Sequence, residues 1–86
     1  MPLQIFNSAD DVGAALRNAI TAALPDARVQ VTPSSPGHFE IEVISAAFAG
    51  KSMLQQQQLV YGAIRELMAG DSAPVHAIDR LRTKTP

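Results

Sequence analysis

The sequence predicts one α+β domain in the order α-β-β-α-β, with two helices packed on one face of a three-stranded mixed sheet. Three observations carry this. Two stretches place apolar residues at helical spacing behind serine caps, and between and after them lie segments of alternating or β-rich character. Proline and glycine then punctuate every junction. With 86 residues there is room for a single domain over 1–86 and a modest core.

The first helix begins at Ser8, where Ser-x-x-Asp through Asp11 can satisfy free amides, which leaves residues 1–7 as an N-terminal arm. Val12, Ala15, Leu16, Ala19, Ile20, Ala23 and Leu24 fall on one face, with Arg17 and Asn18 outward. Pro25 closes the helix, because it cannot donate the next bond and disfavours helical geometry at Leu24.

Arg28 to Thr32 alternates around Val29 and Val31, and Phe39 to Ser45 alternates with Phe39, Ile41 and Val43 opposite Glu40 and Glu42. These form a hairpin. Pro33-Ser34-Ser35-Pro36-Gly37 is expected as its exposed loop and as the natural place to look for function.

After an irregular link over Ala46 to Gly50, Ser52 and Gln55 form a capping box. The helix behind it turns Met53, Val60, Ala63, Ile64, Leu67 and Met68 inward and stops near Gly70, with Pro74 preventing continuation. Val75 to Arg82 reads as the last strand. Ile78 and Leu81 are out of phase there, which implies a bulge, a twist or two-sided burial.

Composition limits the chemistry. Nearly half the residues are apolar and the formal charge is −1, so nothing in the overall balance favours phosphate backbones or acidic membranes. No stretch reaches the roughly 20 apolar residues of a bilayer span, and the start lacks the pattern of a secretory leader. The expected compartment is the cytoplasm, with no membrane partner. The absence of cysteine excludes a disulfide, a thiol nucleophile and a cysteine-ligated metal site built from this chain alone.

Ser45-Ala46-Ala47-Phe48-Ala49-Gly50-Lys51-Ser52 follows a strand and ends in Gly-Lys-Ser, yet Ser45 stands where a phosphate-binding loop needs glycine. Nucleotide hydrolysis is set aside, leaving Lys51 as a weak anion contact. Gln55 to Gln58 reads as a solvated helix face, and Phe39, Phe48 and Tyr61 as core. The remaining chemistry lies in two histidines, His38 beside the hairpin loop and His76 at the last strand. If their ends of the sheet coincide the imidazoles converge, but two ligands do not close a metal site and a partner must complete it.

The order of motifs resembles the BolA family over essentially the whole chain. It is carried by Gly37-His38-Phe39 and the strand through Ser45, Phe48-x-Gly50, Gln57-Gln58-x-Val60-Tyr61-Gly62, Val75-His76-Ala77-Ile78 and Thr83-x-Thr85-Pro86. The Gln-Gln-x-Val-Tyr-Gly wording is similar to the acid-stress-associated, IbaG-like bacterial branch. The resemblance implies a class II KH-like fold and a non-enzymatic role in iron-sulfur cluster assembly or trafficking. It also implies a [2Fe-2S] cluster shared with a monothiol glutaredoxin and glutathione, with none expected on the isolated chain. His76 matches the family's protein ligand. The family's usual loop ligand, a cysteine or an upstream histidine, is missing: Ser35 stands about where the cysteine would fall, and His38 either substitutes for it or only orients the strand.

The rival reading is a KH-like nucleic-acid-binding transcriptional regulator of stress response, using Lys51, Arg65, Arg80, Arg82 and Lys84. Against it, the Gly-x-x-Gly clamp of KH modules is absent. Specific nucleic-acid binding is therefore not expected. The sequence leaves a weak homodimer open.

Overall fold

The computed structural model describes residues 8–86, so the N-terminal arm expected over 1–7 lies outside the described residues. The elements are α1 (Ala9–Ala23), β1 (Arg28–Ser35), β2 (His38–Ile44), a 3-10 turn (Ala46–Phe48), α2 (Met53–Met68) and β3 (Ala77–Lys84). This is the α-β-β-α-β order and α+β class that the patterning predicts.

Both helix starts are built as their sequences require. The Ser8 hydroxyl accepts from the Asp11 amide at 3.2 Å, and Ser52 and Gln55 form the reciprocal capping box. Gly70, at φ +85°, turns the chain beyond α2.

The sheet order is β1-β2-β3, with β1 antiparallel and β3 parallel to the central β2. A parallel neighbour needs a crossover, which α2 supplies. Register sorts the side chains into two faces. The rows Val29-Val43-Thr83, Val31-Ile41-Leu81 and Pro33-Phe39-Ile78 turn towards the helices. The rows Arg28-Ile44-Lys84, Gln30-Glu42-Arg82 and Thr32-Glu40-Arg80 make up the uncovered face.

Between the layers sit Leu16, Ile20, Phe39, Ile41, Val43, Phe48, Val60, Ile64 and Val75, all essentially inaccessible. Each such side chain contributes roughly 1.5–3 kcal/mol on burial. No helix among the described residues is long and apolar enough to cross a membrane.

Several expectations are corrected. β1 runs on through Ser35, so the five-residue loop shrinks to a turn at Pro36-Gly37, because the extended backbone that proline favours suits an edge strand. The last strand starts at Ala77 and not Val75, which instead turns into the core. Met53 is 56% exposed and Tyr61 40% exposed, so neither belongs to the core. The three-stranded sheet is narrow, and α2 needs only the Val60 and Ile64 stripe to cover its share. Ala23, the last residue of α1, is exposed. Gln56 is not simply solvated: its amide donates to the Lys51 carbonyl at 3.0 Å and accepts from the Thr83 hydroxyl at 2.7 Å.

Ser45 explains why the phosphate-loop reading fails. Its buried hydroxyl accepts from the Ala47 amide and donates to Asp26 at 2.7 Å, while the Ala46 amide donates to the other Asp26 oxygen at 2.7 Å. These bonds hold the Asp26 carboxyl below its ordinary value, the Ser45 bond foremost. The segment is a tied corner between β2 and α2.

Candidate functional site

The turn after β1 and the start of β3 meet at one end of the sheet, as the sequence requires if its histidines are to lie together. Ser35 and Ala77 are the register partners of His38 on either side. The Gly37 carbonyl accepts two amides from the other strand, His76 at 2.8 Å and Ala77 at 3.2 Å. This fork fixes where the chain enters β3.

His76 is exposed, and its ring lies over the α-carbon of Gly37. A Cβ on Gly37 would overlap the ring's Cδ2 and come within 2.9 Å of Cγ. Gly37 also has φ +76°, a conformation other residues adopt at a cost. One glycine therefore serves both the turn and the seat of the imidazole. Among the described residues nothing hydrogen-bonds the His76 ring, so both nitrogens are available.

His38 is held differently. Register shifts between Phe39 and Glu40, which pair with Ile78 and Arg80, so Asp79 is an extra residue bulged out of β3. Its carboxylate reaches back to the hairpin: His38 Nδ1 is 2.9 Å from Oδ1, and the Ser34 hydroxyl donates to Oδ2 at 2.7 Å. His38 and then Ser34 hold the Asp79 carboxyl below its ordinary value. The bulge is the signal that the out-of-phase Ile78 and Leu81 carry. Asp79 itself was not legible, because its partners lie 41 and 45 positions away.

The two histidines thus share one end of the sheet but are not part of a ready-made metal site. No group of three or more His, Asp or Glu side chains among the described residues could hold a metal ion. Ser35, at the place of the usual loop ligand, is exposed on the edge strand.

The basic residues are arranged less favourably for phosphate. Arg80, Arg82 and Lys84 share the uncovered face at alternate positions, but Glu40 is the register partner of Arg80 and Glu42 of Arg82. The row is interleaved with acid. Lys51 precedes α2 and Arg65 lies on it, both on the helix layer and apart from that row.

Comparisons with known proteins agree on one family. The family model described as BolA-like protein matches residues 18–86. BolA-like protein 1 of Bos taurus is 43% identical over 56 residues, which are 65% of this chain and 38% of that protein. The Mus musculus protein of the same name is 35% identical over 88 residues, covering 92% of this chain and 61% of its own length. The chain therefore spans less than two thirds of the length of these relatives. The solution structure of BolA1 from Mus musculus superposes with a TM-score of 0.71 at 32% identity, covering 100% of this chain and 76% of that one.

Proposed function

The chain belongs to the BolA-like protein family, and from that premise we propose that it is a non-enzymatic adaptor in iron-sulfur cluster assembly or trafficking. It shares a [2Fe-2S] cluster with a monothiol glutaredoxin and glutathione through histidine ligation. Within the family we propose the IbaG-like bacterial branch, on the wording Gln57-Gln58-x-Val60-Tyr61-Gly62, and the cytoplasm as the compartment.

The observation that carries the reading is His76: an exposed imidazole that no group among the described residues hydrogen-bonds, seated on a glycine at a fixed strand entry. The donor set fits a shared cluster and not a private one. A chain with no cysteine and no three-donor group cannot enclose iron and sulfide alone, but it can complete a shell whose thiolates come from elsewhere. Bound there, imidazole in place of thiolate lowers the negative charge on the cluster and raises its potential. This chain's own residues supply position: Gly37 seats His76, and Asp79 holds His38 alongside.

The test is anaerobic mixing with a monothiol glutaredoxin, glutathione, ferrous iron and sulfide, followed by size exclusion with visible spectra. A coloured heterocomplex whose spectrum changes in His76→Ala is the expected result. Colour that elutes only with the glutaredoxin removes the reading.

A further inference from the structure

We propose that Asp79 is a positioning residue that fixes neutral His38 as its Nδ1–H tautomer and so presents Nε2 as the nitrogen that His38 offers to a metal. An ionised carboxylate can only accept hydrogen bonds. Its Oδ2 already takes the Ser34 hydroxyl at 2.7 Å, and Oδ1 lies 2.9 Å from His38 Nδ1. The proton of that contact therefore sits on the imidazole, and the lone pair of the neutral ring is left on Nε2.

The arrangement is the one by which metal-ligating histidines are commonly oriented, with the non-ligating nitrogen donating to a carboxylate that fixes the tautomer and the ring and raises the ligand's basicity. It is also built in, not incidental. The carboxylate reaches His38 because β3 carries one extra residue at Asp79, and Ser34 holds it from the far side of the turn. His76 lacks any such partner among the described residues, so the two imidazoles are prepared differently. One is free to choose its nitrogen and the other is committed.

The metal-facing half of this inference rests on the shared-cluster reading, whereas the tautomer half does not. Long-range proton–nitrogen correlation spectra of the isolated protein, recorded with the imidazoles neutral, are expected to show a protonated-type Nδ1 and a bare-type Nε2 for His38. In Asp79→Ala, which removes the acceptor, the pattern should move towards the Nε2–H form. Ser34→Ala should retain the wild-type pattern, since the His38 contact remains. A wild-type His38 protonated at Nε2, or an Asp79→Ala spectrum identical to wild type, overturns the proposal.

The second arm reads the visible circular dichroism of the assembled glutaredoxin heterocomplex. Asp79→Ala is expected to shift its bands. Unchanged bands, in a complex that His76→Ala does perturb, overturn the metal-facing half while the shared-cluster reading stands. If wild-type protein forms no coloured complex, that reading fails and the metal-facing half with it, and the tautomer spectra still decide the rest.

Discussion

Replacing Gly37 by alanine separates the two duties this residue performs. At φ +76° a side chain costs about 1–2 kcal/mol, offset by roughly 0.4–1 kcal/mol from the stiffer unfolded chain, so the net loss is about 1 kcal/mol. In a domain of this size that lowers Tm by about 4–8 °C. The second effect is local. The new Cβ would overlap His76 Cδ2, and the ring must retreat by roughly 1.5–2 Å to regain ordinary carbon contact. Gly50 is the control, because its φ of +74° carries the same strain while nothing lies within 4 Å of the Cβ position. Calorimetry should show similar falls in Tm for the two variants. Proton–carbon spectra of the imidazoles should move for His76 in Gly37→Ala alone, and the glutaredoxin heterocomplex should change its spectrum only there. Unmoved His76 resonances in Gly37→Ala, or equal movement in Gly50→Ala, would refute the seating argument.

Three further expectations follow from other contacts. His76→Ala should melt close to wild type, because an exposed side chain without hydrogen bonds is worth within about 0.5 kcal/mol, and a markedly lower thermal midpoint would mean the ring is structural. Asp26 is held below its ordinary value of 3.8, so its contribution is present above that pH and lost as pH falls through the native value. The stability gap between wild type and Asp26→Asn, from urea unfolding, should narrow from neutral pH to below pH 3.8, and a constant gap would refute this. Duplex DNA should bind weakly at about 150 mM salt with a shallow salt slope, since seven basic residues spread along the chain against eight acidic ones leave few able to neutralise phosphates together. Submicromolar, sequence-dependent anisotropy changes that vanish on neutralising Arg80, Arg82 and Lys84 would make the regulator the better reading.

Local rules were legible and tertiary ones were not. Ser8, Ser52 and Gln55 announce helix starts because their partners lie three residues away, and Pro25 announces an end for the same local reason. The core stripe of Val60 and Ile64 follows from periodicity alone. Periodicity also assigned Met53 inward, and Tyr61 was read as core for its aromatic ring, yet the narrow sheet leaves both largely exposed. In the site, both histidines were visible as residue types, and their common end followed from strand order. Ser34, Asp79 and the Gly37 carbonyl were hidden, because their roles arise from a register slip and from pairing across the whole second helix. Gln56 was masked by its neighbours, since a run of four glutamines does not show which one faces Thr83.

The parallel pairing of β2 with β3 also sets the order in which the molecule can assemble. The hairpin closes a short loop, whereas the histidine end joins residues 41 positions apart and carries the larger entropy of closure. On a ribosome the central strand therefore emerges with one edge unsatisfied and waits for α2 and the final strand to be synthesised. During that interval its row of open amides and carbonyls is a template for a neighbouring chain. The bulge at Asp79 belongs to that long-range pairing, so the histidine end is completed only as the exposed edge is sealed.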